Sequence, residues 1–239
     1  MFERINAIPP DPILGLIAAY AADPDPKKID LGIGVYRDEH GNTPMLDCVV
    51  EAEKTLIATQ TTKTYLGPPG VVGFNEAIRD LMLGKDSEAL AQGRVRTVQT
   101  PGGTGALRVA ADLVKVAMPE AELWASDPTW ANHLALFPAA GIKMHSYPYF
   151  DALDSSLRFE DMVEALQQRG PGDVVLFHAC CHNPCGVSPN PEQWQVIADI
   201  AAERGFTPMV DIAGSTAFCR TMPRAYHCQF LLKEFCHVP

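Results

Sequence analysis

Asp173-Val-Val-Leu-Phe-His-Ala-Cys-Cys-His-Asn-Pro-Cys-Gly186 joins an architectural signal to a chemical one. Its first half, Asp173–His178, is apolar without alternation. That pattern belongs to a strand covered on both faces, as in a parallel sheet. Its second half, just after His178, packs three cysteines and one further histidine, His182, around Asn183-Pro184. The spacing is wrong for structural zinc. Cys180 and Cys181 are adjacent and point apart, and Cys181-x3-Cys185 is interrupted by the Asn-Pro bend. There is no Cys-x-x-Cys for redox chemistry, so no metal or redox centre is expected. The proline forces a turn that re-aims the Asn183 side chain at the carboxyl end of the strand.

Outward from this strand the pattern repeats. Strands are expected at Val95–Thr100, Glu122–Ser126, Lys143–Tyr147 and Thr207–Asp211. Helices are expected at Gly105–Ala117, Ala131–Ala140, Phe159–Gln168 and Pro191–Glu203. Strands alternating with helices of this length predict an α/β fold with a mostly parallel sheet and helices on both faces. Earlier in the chain, helical spacing marks Asp11–Tyr20, Met45–Thr59 and Val71–Leu83, with a short strand at Ile29–Ile33. In such sheets, ligands gather at the carboxyl ends of the strands.

Four strand ends carry polar chemistry. Gln99-Thr-Pro-Gly-Gly-Thr-Gly-Ala-Leu107 is a glycine-rich turn opening a helix. It either presents N–H groups to an anion or uses glycine only for a tight turn. It lacks the third glycine of a dinucleotide fingerprint, where Arg108 stands, and the Gly-Lys-Ser/Thr of a Walker loop. Ser126-Asp-Pro-Thr-Trp-Ala-Asn-His133 puts Trp130 and His133 on one helix face. They are either a stacking plate with a supporting imidazole or plain core. Asn183 ends the third strand. Asp211 ends the fourth, as a helix cap, a solvated acid or a partner for a protonated ring nitrogen. Together, an anion cradle, an aromatic plate, an amide and a carboxylate suit a flat, phosphorylated, basic heterocycle.

The 239 residues are 47% hydrophobic, enough for a sizeable core, and carry a net charge of −10. That acidity disfavours nucleic acid and anionic membrane as partners. The N-terminus shows no signal-peptide pattern and no apolar run reaches a bilayer's span, which predicts a cytoplasmic protein. The seven cysteines are expected as free thiols. From Gly214 the texture changes: the tail has one acid, Glu234, against Arg220, Arg224 and Lys233, and the alternation stops.

The blocks "DPILGL", "LGIGVYRDEHGNTP", "TYLGPPG", "TPGGTGALRVAADL", "SDPTWANH", "VVLFHACCHNPCG" and "VDIA", in this order, resemble the class I pyridoxal-phosphate aminotransferases of the aspartate/aromatic subgroup over residues 1–213. The resemblance implies the large domain of a fold type I transferase, incomplete here. It divides the chain into an arm and small-domain segment at 1–40, a partial cofactor-binding domain at 41–213 and a tail at 214–239. It implies transfer of an amino group between an aspartate or aromatic amino acid and a 2-oxo acid, with pyridoxal 5′-phosphate as cofactor, in a homodimer. Gly103 and Thr104 would bind the phosphate, Trp130 would stack on the ring, and Asn183 would bond its phenolic oxygen. Asp211 would pair with the ring nitrogen, with His133 behind it, and Tyr65 would reach the neighbouring subunit's phosphate. Gly34, Trp130 and Asn183 would contact substrate. The cysteines and His182 read as incidental packing, with Cys185 where the subgroup usually has threonine.

The family's Schiff-base lysine falls farther beyond Asp211 than Pro239. Lys233, in Leu-Leu-Lys-Glu-Phe, does not match its motif. Gly214 stands where the family has a tyrosine, and the tail reads like a shifted frame. The expectation is therefore an aminotransferase chain with no catalytic lysine of its own and little turnover. The alternative is a non-enzymatic remnant that binds the cofactor weakly or associates with a full-length homologue.

Overall fold

The computed structural model describes residues 12–29 and 37–213. The expectations for Gly34, for most of the Ile29–Ile33 strand and for the tail lie outside them. The chain divides into two compact units, Met1–Thr64 and Tyr65–Pro239. The first contains helices α1 (Pro12–Ala22) and α2 (Asp47–Thr59). α2 buries none of its residues, and its Val49, Leu56 and Ile57 are exposed.

The second unit runs α3 (Val72–Leu83), α4 (Glu88–Ala91), α5 (Gly102–Ala117), β1 (Glu122–Asp127), α6 (Ala131–Ala139), β2 (Lys143–Pro148), β3 (Phe150–Asp151), β4 (Ser156–Leu157), α7 (Phe159–Gln167), β5 (Asp173–His178), α8 (Pro191–Arg204) and β6 (Thr207–Asp211). Four strands form a parallel sheet in the order β2-β1-β5-β6. β3 and β4 pair as a separate antiparallel ribbon.

The apolar run of β5 explains itself in this setting. Val174 and Leu176 join one core cluster with Leu107, Ala111 and Val114 of α5 and Phe137 of α6. Val175 and Phe177 join the other, with Met162 and Leu166 of α7 and Trp194 and Ile197 of α8. Successive side chains point to opposite faces. Both faces are covered, so neither can be polar.

α8 shows how local sequence sets an element's limits. The Asn190 side chain accepts from Gln193 N (2.8 Å), and the Gln193 side chain accepts from Asn190 N (2.9 Å). Pro191 occupies the first turn, and Gly205 closes the helix at φ 75°. This is a complete capping box with a left-handed C-terminal stop.

One expectation is corrected. Val95–Thr100 is no strand: it pairs with no strand among the described residues. Its polar groups go to a loop instead, with Gln99 N donating to Pro69 O (2.9 Å) and Gln99 Oε1 accepting from Val71 N (2.9 Å). β-propensity favours an extended backbone but does not supply the neighbour a ladder needs. The β3–β4 ribbon and α4 had no distinct periodicity to announce them.

The chain leaves β1 for β2 through α6 on one face. It leaves β5 for β6 through α8 on the other. The loops after β1 and β5 therefore diverge, and a crevice opens at the carboxyl ends of these adjacent strands. No helix among the described residues is long and apolar enough to cross a membrane.

Phe177→Ala should lower unfolding free energy by about 3–5 kcal/mol, the usual cost of removing a fully buried aromatic. Leu153→Ala, at a site 98% exposed, should stay within about 0.5 kcal/mol. Urea midpoints at constant m-value measure both; equal midpoints for the two variants would refute the assignment of Phe177 to the core.

Candidate active site

The crevice holds a hollow of about 370 Å³, lined among others by Gly103, Trp130, His178, Asn183 and Asp211. β6 delivers Asp211 as the register partner of His178 on β5, and Ala179 N donates to Asp211 O (2.9 Å). β5 continues into the turn that presents Asn183. The loop after β1 supplies Thr129 and Trp130.

A continuous hydrogen-bond chain runs beneath this hollow. Asn183 N donates to His178 Nδ1 (3.2 Å). That acceptor places the proton of a neutral His178 on Nε2, which lies 3.3 Å from Thr129 Oγ1. Thr129 can then donate to His133 Nδ1 (2.9 Å). This in turn leaves the His133 proton on Nε2, directed at Asp211 Oδ2 (3.0 Å). Every tautomer follows from the link before it, and the chain ends on Asp211 as acceptor. His133 is wholly buried, with Trp130 edge-on at 5.3 Å. Burial and the neighbouring His133 pull His178 down to about 4, so it stays neutral at ordinary pH.

The opposite wall is the start of α5. Its N-terminus has no side-chain cap, so the first-turn N–H groups have no intrahelical partner. A Cβ added at Gly102 or Gly103 would meet nothing within 4 Å. Gly103 lines the hollow, and without a side chain its backbone donors stay approachable. The arrangement is a donor-lined anion cradle at a helix dipole's positive end, facing a carboxylate, with an indole beside them.

The structure brings together Gly103, Trp130, Asn183 and Asp211 around the hollow and puts His133 directly behind Asp211. Thr104 is exposed in the first turn of α5, next to Gly103. Tyr65 is fully exposed on its loop and does not line the hollow. Sequence reasoning missed Thr129 and His178. The available signal was position: His178 ends a strand beside the one ending in Asp211, and Thr129 precedes the tryptophan. Among the described residues, no group of His, Cys, Asp and Glu could hold a metal. Cys48 and Cys185 are free thiols.

The sequence pattern of the family "Aminotransferase class I and II" matches residues 26–230. Aspartate aminotransferase of Salmonella typhi is 50% identical over 213 residues, which is 89% of this chain and 54% of that protein. The aromatic-amino-acid aminotransferase of Pseudomonas aeruginosa is 45% identical over 212 residues, 89% of this chain and 53% of that protein. The chain thus spans about half the length of the curated relatives it matches. Among solved structures, the aromatic-amino-acid aminotransferase of Burkholderia pseudomallei, covalently bound to pyridoxal phosphate, superposes with a TM-score of 0.89 at 39% identity. It covers 97% of this chain and 58% of its own.

The neutral histidines give stability a defined pH dependence. Burial above all pulls His178 down to about 4 and His182 to about 3 in the fold, against 6.5 ordinarily. Below pH 6.5 the unfolded chain takes up protons that the folded one refuses. Stability should therefore be full above pH 6.5 and decline as pH falls toward 4. Urea midpoints across this range test it, and His178→Gln should flatten the slope; an unchanged slope would show that His178 is not the source.

Proposed function

Because the chain belongs to the class I and II aminotransferase family, we propose that it forms the cofactor-binding part of an enzyme that moves an amino group between an aspartate or aromatic amino acid and a 2-oxo acid. The cofactor is pyridoxal 5′-phosphate. The carrying observation is the juxtaposition of the α5 cradle and Asp211 across one hollow, with the carboxylate oriented by His133. The donor set fits the group: open glycine backbone for a phosphate, an indole face for an aromatic ring, and a carboxylate for a cationic ring nitrogen. When bound, the cofactor supplies an electron sink for deprotonation at the substrate Cα.

The chain's own residues do the rest. The first-turn N–H groups at Gly103 and Thr104 hold the phosphate. Trp130 limits the ring's tilt and shields it from water. Asn183 donates its amide to the phenolic oxygen, and its neighbourhood receives the substrate carboxylate. Asp211 keeps the ring nitrogen protonated, and the chain through His133, Thr129 and His178 keeps Asp211 ready to accept. Trp130 completes the substrate's surroundings, and Tyr65, fully exposed, reaches the phosphate site of a second copy in a homodimer. In this reading the residues around the hollow hold the cofactor without a covalent tether, and turnover by this chain alone is low.

Pyridoxamine 5′-phosphate, which has no aldehyde to react with surface lysines, is the direct probe. Titration followed by Trp130 fluorescence should show one site. Asp211→Ala should weaken it about 10- to 100-fold, the worth of one charge-assisted hydrogen bond. Borohydride treatment of the pyridoxal phosphate complex should fix no stoichiometric cofactor within residues 95–213, beyond scattered labelling of Lys115 and Lys143. Turnover of aspartate or phenylalanine in the usual enzyme range, about 1–1000 per second, or undiminished affinity in Asp211→Ala, would overturn the proposal.

A further inference from the structure

The histidine before Asn183 has more contacts than a filler needs. His182 is 2% exposed, although Asn183 next to it is exposed. Its Nε2 lies 2.8 Å from Ser126 Oγ, at the end of β1, and Ser126 is itself 2% exposed. Its Nδ1 lies 3.1 Å from Cys185 Sγ, within the same turn. One ring face stacks on Tyr149 at 4.1 Å and the other on His178 at 4.2 Å. Tyr149 is anchored in turn by its hydroxyl, which donates to Val187 O (2.9 Å).

Backbone geometry points the same way. Cys181 sits at φ 50°, in the left-handed region that a residue with a Cβ enters at a cost. That twist turns the chain so that the next ring goes inward. The His182 carbonyl then accepts from Gly186 N (2.7 Å), closing the turn. A neutral imidazole donates from one nitrogen and accepts at the other, and a hydroxyl and a thiol can complement it in either sense. Burial and the adjacent His178 hold His182 at about 3, and burial raises the Cys185 thiol, so both partners stay neutral.

We propose that His182 is the positioning residue of the Asn183 turn, a clamp between Ser126 on β1 and Cys185 within the turn that holds the Asn183 amide over the hollow. This rests on the reading of that hollow as the cofactor site. Asn183 N–H on His178 fixes one point of the turn, and one point leaves it free to pivot. The ring of His182 supplies the second, and ties it to a different strand. Cys185, in the place where the resemblance leads one to expect threonine, acts as the turn-side jaw.

The test uses the full chain and four variants. His182→Phe keeps the stacking and removes both ring hydrogen bonds. Ser126→Ala removes one jaw if His182→Phe misfolds. His182→Gln retains an amide that can bond Ser126, and Asn183→Ala is the reference. Amide hydrogen exchange at Asn183 and Gly186 should speed up about tenfold in His182→Phe and Ser126→Ala, the loss of roughly one hydrogen bond. Exchange in β5 should be unchanged, and His182→Gln should fall between. With pyridoxamine 5′-phosphate bound, the phenol's absorbance titration should move in His182→Phe in the same direction as in Asn183→Ala. Unchanged exchange at Asn183 and Gly186 in both variants overturns the clamp, and so does equal loss of protection throughout β5, which would mark a merely structural residue. If the parent chain binds no pyridoxamine 5′-phosphate while exchange responds as expected, the cofactor reading falls and the clamp stands.

Discussion

The hydrogen bond from His133 Nε2 to Asp211 Oδ2, at 3.0 Å, is the constraint on which the site depends. A carboxylate at the end of a half-buried strand loses much of its hydration, and it is tolerable there only with strong donors. With both rings neutral, Thr129 donates to His133 Nδ1, which leaves the His133 Nε2–H for Asp211, and the Thr129 oxygen accepts from His178 Nε2. His178 is neutral because burial and the neighbouring His133 disfavour its charged form, and its unprotonated Nδ1 accepts from Asn183 N. The chain spans the loops after β1 and β5 and the end of β6, so it also holds three strand ends together. Replacing any one member changes the tautomer demanded of the next.

The sheet makes this chain possible by topology. β5 lies between β1 and β6, and its residues face two different cores. With α5 and α6 on one face and α7 and α8 on the other, the connections after β1 and β5 part company, and the gap between them is the hollow. The α5 N-terminus closes one side because the Gly102–Gly103 backbone carries no side chain to obstruct it. The cores therefore have a second role beyond stability, since they fix the register that sets His178 opposite Asp211.

Much of this was legible in the sequence. The strand–helix alternation and the unbroken apolar β5 each state a local preference that the tertiary structure honours. Trp130, Asn183 and Asp211 could be picked out because polar residues at the carboxyl ends of parallel strands have few structural reasons to be there. Val95–Thr100 was misread because extended propensity says nothing about whether a partner strand stands alongside. His182 reads as packing in a linear view, since its decisive neighbours, Ser126 and Tyr149, are far from it along the chain.

Periodicity and breakers are properties of a few adjacent residues, so the sequence by itself determined the four strands of the parallel sheet, the longer helices, their order and the chemistry available at those strand ends. Which hydrogen bond each histidine makes, and so which nitrogen bears its proton, was decided only in the tertiary structure. A tautomer depends on donors and acceptors brought within about 3 Å, and here those come from separate strands whose register is set by packing on both faces of the sheet.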